Sequence, residues 1–383
     1  MRITLEQPQL LKSLQIIEHA VNDRSALPIL ANVLLETKEH EFVLTATDLD
    51  VGVRYRLPSV TIEEPGAVTL PARRLTTIIR ELPEESVRIE VKQNYHAVVS
   101  CGASRFRLPG LPPEDFPLLP PHDEVDALRL PQTTLKTLLQ YTIFAMSLEE
   151  TRFILNGALL KTHAGALTLA ATDGRRLAVA TEKGTPPRPQ SGSGKELAVV
   201  VPSKTIRELL RLLQDDGEEP VSISLLKDNQ LLFRFGAVTV VTRLIEGQFP
   251  PYDSVIPPPS ATTITCPRQL LADAVRRASL MTTATSQAVV FELAKDALIV
   301  SKESAELGSA REEVPAAYRG EPMTIAFNPE FWLEVLKVLP QEDVVIEVTA
   351  PDKPAVVRLP ARLADQGAGG PDLLYVVLPM KLA

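Results

Sequence analysis

Three times along 383 residues the chain restarts on one pattern, and this recurrence restricts the fold more than any other feature. Gln9-Leu10-Leu11-Lys12-Ser13-Leu14-Gln15-Ile16-Ile17, Thr134-Leu135-Lys136-Thr137-Leu138-Leu139-Gln140 and Gln269-Leu270-Leu271-Ala272-Asp273-Ala274-Val275 each space apolar residues for a one-sided helix. A strand pair follows the first two: residues 30–37 with 42–48, and residues 155–162 with 167–173. Both pairs end in Ala-Thr-Asp, displaced by 125 residues. In the third restart, Ala288 to Leu293 and Ala297 to Ser301 occupy this place without the Thr-Asp.

Each unit then runs the theme again. Val68-Thr69-Leu70-Pro71 leads into a helical pattern from Arg73 to Leu82, Val199-Val200-Val201-Pro202 into Lys204 to Leu213, and Thr324 to Pro329 into Phe331 to Leu339. Proline belongs at the start of a helix, where its missing N–H would be unpaired anyway. Alternating strands close each unit at 87–91, 221–225 and 344–348. Six helix-plus-strands units, taken in pairs, predict an α+β chain of three similar domains, with antiparallel sheets on one side and helices on the other. Proline-rich stretches, Pro117-Leu118-Leu119-Pro120-Pro121 and Phe249 to Pro259, place the boundaries at 1–122, 123–252 and 253–383. Residues 186–194 and 365–370 read as flexible loops.

The formal charge of −8 argues against an all-over basic nucleic-acid binder but not against a basic face on an acidic body. The six helical windows carry +6 together, which leaves −14 for the remainder. Lys204, Arg207 and Arg211 lie three and four apart and share one helix face. Helices gathered on one side of a repeating sheet would concentrate positive charge there, as a phosphate-facing surface requires.

Cys101 and Cys266 fall in unrelated strand-like segments and read as small buried hydrophobes in a reducing compartment. The N-terminus has no apolar stretch of signal-peptide length and no segment is long enough to span a bilayer, so a soluble, cytoplasmic protein is expected. Five histidines (His19, His40, His96, His122, His163) are scattered singly, with no metal-ligand spacing, phosphate loop or nucleophile elbow. Asp48 and Asp173 are the one candidate carboxylate pair, yet strand-end turn aspartates are far commoner than catalytic ones. The expectation is a protein that is not an enzyme and has no cofactor or metal. A peptide-binding repeat scaffold that never touches DNA is the alternative to a DNA-associated one.

Several stretches, in order along the chain, resemble one family. They are Leu27-Pro28-Ile29-Leu30, Gly66 to Arg73, Ser104-Arg105-Phe106, Ala171 to Ala178, Glu246 to Tyr252, and Tyr375 to Leu382. The family is the beta subunit of bacterial DNA polymerase III, the sliding clamps, and the likeness runs from Met1 to Leu382. It implies a head-to-tail homodimer closed into a ring around double-stranded DNA without sequence specificity, with helices lining the hole. A heterologous contact closes only when its rotation fits, which a pseudo-sixfold protomer supplies.

From the likeness, Phe106 and Leu108 are expected to meet Leu280 and Met281 of the partner, although from sequence alone Phe106 and Leu108 read as intramolecular core. Arg24 and Arg73 are implied DNA-facing residues, with Arg80, Lys204 and Arg207 added from the helix faces. A groove for short linear motifs of polymerases, the clamp loader and repair proteins maps to Leu155, Thr172, Gly174, Arg175, Arg176, Leu177, Pro250, Val255, Asn328, Phe331, Val376, Val377, Leu378, Pro379 and Met380. Such a groove anchors apolar side chains while a few polar groups fix orientation. Leu155, Leu177 and Val377 also fit a plain core reading. The sequence departs from the family at Ser254, where an arginine is frequent, at Arg175, where histidine is common, and at Glu149, whose carboxylate would repel phosphate.

Overall fold

The computed structural model describes the chain except for Glu39, Ser59 and residues 121–126, 185–196, 360–369 and 382–383. His122, the loop expected at 186–194 and nearly all of the one expected at 365–370 therefore lie outside the described residues.

The six expected helices form as α1 (Gln7–Ile17), α2 (Ala72–Glu81), α3 (Gln132–Gln140), α4 (Ser203–Leu212), α5 (Arg268–Ser279) and α6 (Pro329–Val338). Proline stands at the first helical turn of α1 and α6 and in the N-cap position of α2 and α5. Asn328 caps α6, its Oδ1 accepting the Glu330 N–H at 2.9 Å. The spacing read from the sequence is the buried stripe: Leu10, Leu14 and Ile17 on α1, Leu75 and Ile79 on α2, Leu271 and Val275 on α5, Trp332, Val335 and Leu336 on α6. Trp332 sits with Phe291 and Phe327 at ring separations of 5.3–5.4 Å.

The strands of the described residues form four antiparallel sheets. Residues Met1–Thr133 and Arg207–Leu244 build most of one compact unit; Thr134–Pro186, Lys195–Ile206 and Ile245–Ala383 build the other. The first unit holds a five-stranded sheet, in the order Thr61–Glu64, Arg2–Glu6, Ser86–Val91, Ala97–Cys101, Ser104–Leu108. Its eight-stranded sheet runs Leu128–Leu130, Val221–Leu226, Gln230–Phe235, Val238–Arg243, Val51–Leu57, Glu41–Thr47, Asn32–Lys38, Ala67–Pro71. The second unit holds a nine-stranded sheet: Ala198–Pro202, Gly157–His163, Ala166–Thr172, Arg176–Lys183, Asp372–Val377, Ala355–Leu359, Asp343–Glu347, Thr263–Pro267, Ala317–Arg319. Its four-stranded sheet runs Gly308–Pro315, Ala297–Ser304, Val289–Ala294, Met323–Phe327.

Each of the two largest sheets contains a seam between strands far apart in the chain. Val238–Arg243 pairs with Val51–Leu57, with Gly52 opposite Val241. Asp372–Val377 pairs with Arg176–Lys183, with Leu177 opposite Val376. Strands from consecutive repeats thus complete one another's sheets, which removes a hydrogen-bonding edge from each. One strand of each seam is related by the 125-residue displacement seen in the sequence (Gly52 to Leu177), and its partner by 135 (Val241 to Val376).

Both cysteines are free and buried, as their sequence setting suggested. Burial pushes the Cys266 thiol up to about 12. No helix among the described residues is long and apolar enough to cross a membrane.

Candidate functional site

The site begins with a turn. After strand Ala166–Thr172, Asp173 Oδ1 accepts the N–H groups of Arg175 (2.9 Å) and Arg176 (3.1 Å), and Thr172 Oγ1 accepts that of Gly174 at 3.0 Å. Gly174 adopts φ +86°, a left-handed conformation that suits a residue without Cβ. Asp48 does the same work in the first repeat, accepting from Asp50 at 3.0 Å and Val51 at 2.9 Å. Both aspartates are therefore turn formers, which answers the question of a carboxylate pair.

Directly after the turn, the Arg176 side chain is only 8% exposed. Its Nε donates to Asp173 Oδ2 at 3.0 Å, and its two terminal nitrogens reach Glu334 of α6 and the Phe144 carbonyl oxygen. The guanidinium carbon lies 4.3 Å from the Phe331 ring centroid. Burial would lower this guanidinium, but Tyr375, Glu334 and Asp173 outweigh it and hold it above its ordinary value. Arg176 and Phe331 therefore form a post that fixes the turn to α6. Tyr375 supports it from beneath, donating its hydroxyl to the Phe331 carbonyl oxygen at 2.9 Å. Phe144 and Glu334 lie 32 and 158 residues from Arg176 and carried no local sequence signal.

On the neighbouring face, Leu155, Leu177 and Val376 are buried with Ala170, Val179, Val200, Phe249 and Val356 in one apolar cluster, and Ile154, Tyr252 and Ile256 pack against it. Val377 is buried too. These residues satisfy the core reading, and their cluster also forms a floor. Around it stand exposed Gly174, Arg175, Pro250, Val255, Leu378 and Met380, with Val255 56% and Leu378 43% exposed. The tail carrying Pro379 and Met380 is fastened at both ends: Leu378 N–H donates to the Arg175 carbonyl at 2.9 Å, and Met380 N–H to that of Ala326 at 2.7 Å. Asn328 is half-buried with its side chain engaged as the α6 cap. Ser254 is exposed, its hydroxyl 3.5 Å from the Pro251 carbonyl oxygen.

The loop before Leu155 joins this site through Arg152, whose Nη1 donates to the Asp173 carbonyl at 3.1 Å and whose Nε lies 3.3 Å from Glu149. The Glu149 carboxylate therefore has a cation beside it, which the sequence pattern did not disclose. Phe153 on this loop is 61% exposed.

The expected phosphate-facing cations are all exposed: Arg24, Arg73, Arg80, Lys204 and Arg207. Arg73 forms an ion pair with Asp23. Two other helical cations hold backbone carbonyls. Arg211 donates to the Gln15 carbonyl at 3.2 Å and to that of Ile16, at the C-terminal end of α1. Arg268 reaches the carbonyls of Gln341 (2.8 Å) and Leu336 (3.0 Å), at and just beyond the end of α6. Part of the positive surplus on the helices thus neutralises helix ends. Of the residues expected at a subunit contact, Phe106 is 38% and Leu280 69% exposed, Met281 is half-buried, and Leu108 is buried within its own sheet.

The chain matches models of the DNA polymerase III beta subunit in three consecutive pieces: the N-terminal domain at residues 1–120, the central domain at 129–251 and the C-terminal domain at 253–380. It is 34% identical over 383 residues to the beta sliding clamp of Pseudomonas putida, covering all of both chains. The crystal structure of the DNA polymerase sliding clamp from Bacillus subtilis superposes with a TM-score of 0.91 at 30% identity, again over both whole chains. A sliding clamp from Bartonella birtlesii bound to griselimycin gives 0.90 at 32% identity, with the same coverage. With three clamp domains of mixed antiparallel sheet and helix in the expected order, the chain belongs to the bacterial DNA polymerase III beta-subunit family, the beta sliding clamps.

Proposed function

We propose that the chain works as a homodimeric ring that encircles duplex DNA and tethers replicative and repair polymerases through the surface around Leu177, Leu378 and Met380. It is a non-catalytic processivity factor with three domains, at 1–122, 123–252 and 253–383. The observation that carries this reading is the end-to-end likeness to sliding clamps.

Subunit closure has a physical basis in two sheet edges. Ser104–Leu108 ends the five-stranded sheet, and Gly308–Pro315 ends the four-stranded one. Edge strands offer unpaired N–H and C=O groups to another chain. The first presents exposed Arg105 and Arg107 around Phe106, and the second carries Glu312 and Glu313. Leu280 and Met281 follow α5, which packs on the second sheet. A head-to-tail pairing of these edges would bury the exposed Phe106 and Leu280 and match opposite charges.

Sliding needs phosphate attraction without base readout, and exposed Arg24, Arg73, Arg80, Lys204 and Arg207 suit that task. The groove offers an apolar floor, the Leu378–Met380 lip and polar turn atoms to a partner's short motif, the clamp loader's included. A relative that binds griselimycin is in keeping with a ligand-accepting surface on clamps.

Retention on DNA tests the ring. Protein loaded on a nicked circle should stay through gel filtration and be lost once the circle is cut. Equal retention before and after cutting would reject encirclement. Removing residues 380–383 should abolish binding of a polymerase tail peptide while leaving the dimer intact; unchanged affinity would reject the groove.

A further inference from the structure

Each seam carries one buried row of side chains across from strand to strand. In the first unit, Ile223, Phe233 and Val240 continue over the seam to Val53 and Ala46. In the second, Ile346, Val357 and Tyr375 continue to Ala178 and Ala171. The row begins a third time as Ile89, Val99 and Phe106, and stops at the free edge of Ser104–Leu108. Its other half stands at the free edge of Gly308–Pro315, as Ala310 and Lys302. Lys302 ends the buried stripe Leu298, Val300, Lys302 as Ala171 ends Leu167, Leu169, Ala171. Val240 and Tyr375 are fully buried within their rows, whereas Phe106 is 38% exposed.

Completing the third row fixes the register of the head-to-tail pairing proposed above, on which this inference rests. Phe106 of one copy falls opposite Ala310 of the other, Leu108 opposite Gly308, and Arg105 opposite Arg311. Both arginines are exposed and lie on the face turned away from the buried row. Like charges directly opposite one another destabilise a strand pair. Glu312 cannot relieve this pair, since it sits on the buried row's side and is held by Arg277 at 2.6 Å. Glu313 is one step along the outward face and 3.9 Å from Arg311, beyond hydrogen-bond reach. Glu303, opposite Ser309, stands closest to Arg107. Across the joint, Arg105, Arg107 and Arg311 thus face only Glu303 and Glu313, which leaves one positive charge over. Hydroxyls flank the arginine pair on both sides: Ser100 is opposite Arg105, and Ser301 opposite Arg311.

We propose that an inorganic oxyanion of the phosphate type binds between Arg105 of one copy and Arg311 of the other, beside Ser100 and Ser301, and strengthens subunit closure. Guanidinium groups give an oxyanion charge-assisted hydrogen bonds, and the anion removes the repulsion between them. Each copy supplies one arginine, so the site is complete only in the closed pair. It lies on the sheet face away from the helices, out of reach of DNA held among them.

Sedimentation equilibrium on the full-length protein reads the dimer constant in chloride and in inorganic phosphate at equal ionic strength, where screening is the same. Phosphate should tighten the dimer at least about fivefold. Arg311→Glu, which sets a fixed carboxylate opposite Arg105, should dimerise in chloride as tightly as the parent does in phosphate, and should lose the phosphate response. Arg105→Gln should lose that response too. Register has its own readout: Arg105→Cys mixed with Arg311→Cys should form an intermolecular disulfide, and Arg105→Cys mixed with Glu313→Cys, a diagonal pair, should not. A disulfide at the diagonal pair alone overturns the register and the site with it. Monomer in every buffer overturns the ring reading and this inference together. A dimer equally tight in both anions, or a phosphate response that survives both substitutions, overturns the oxyanion site and leaves the ring standing.

Discussion

The turn at Thr47–Val51 and the turn at Thr172–Arg176 share one hydrogen-bond plan and end in opposite surfaces. In each, the threonine hydroxyl accepts the N–H two residues on, and the aspartate accepts the next two. Beyond that, side chains diverge position by position. Val51 is a buried apolar residue where Arg176 is a buried cation, and Leu49 takes φ +80° where Gly174 takes +86°. Gly52, under Leu119, replaces Leu177, which belongs to the groove floor. A repeated scaffold therefore fixes where a surface can form, and a handful of side chains decides whether it is apolar and open or polar and covered by its own chain. The antiparallel pairing at the two seams is equivalent, so the divergence lies in the side chains.

The largest difference should appear at the arginine post. Replacing Arg176 with leucine leaves Asp173 and Glu334 without their cation and strips the Phe331 ring of its stacked guanidinium. Breaking a buried ion pair in this way should cost about 3 kcal/mol. Urea unfolding followed through Trp332, the single tryptophan, reads the compact unit that holds the post. Val51→Ala, at the matching place in the other unit, should cost no more than about 2 kcal/mol and leave that tryptophan transition unmoved. If Arg176→Leu were neutral, Arg176 would be a surface residue awaiting a ligand and not a post.

Next comes the exchange at the floor. A Cβ on Gly52 would lie 2.2 Å from Leu119 Cδ2, so Gly52→Leu, which copies Leu177, should destabilise by about 1–3 kcal/mol through overpacking. Adding Leu119→Ala should restore much of it, a coupling that calorimetry on the two single variants and the double variant measures. Additive losses would show that Leu119 does not fill the first copy of the groove.

How much of this was legible beforehand depends on the range of each interaction. Helix faces, strand alternation and the Thr-Asp turns are local, and the six helices and the paired strands stand within a few residues of where periodicity placed them. Repetition supplied the three-domain order, because the same succession of elements returns three times, at displacements of 125 to 135 residues for the first helix of each repeat. Pairing of Gly52 with Val241 and of Leu177 with Val376 was not legible, since nothing in either strand names its neighbour. Arg176 could be assigned to the site by likeness, but its fixed partners Phe144 and Glu334 arrive from distant segments. Helix charge misled in part for the same reason. Arg211 and Arg268 count as surface cations in sequence, and only the fold shows them on the carbonyls at neighbouring helix ends.

The smallest expected difference is the most direct comparison of the two turns. For an L-residue other than glycine, the left-handed conformation costs roughly 1–2 kcal/mol, because Cβ crowds the following carbonyl. Leu49 bears that strain, held there by Thr47 Oγ1 at 3.0 Å from its N–H and by the Asp48 carboxylate just beyond. Its side chain is 45% exposed and so returns little burial. Leu49→Gly relieves the strain but gives the unfolded chain about 0.5–1 kcal/mol of extra freedom, leaving a net gain of about 0.5 kcal/mol. Gly174→Ala meets the same conformational cost with the opposite sign, and its Cβ falls 3.1 Å from Arg152 Nη1, an arm that can shift; a loss of about 1 kcal/mol is expected. Thermal melting of the two variants should therefore move in opposite directions. Movement in the same direction would mean that Leu49 is held by packing against the cavity at Pro117–Pro120 and not merely tolerated by the turn, and the two copies would then differ in their backbone energetics as well as in their surfaces.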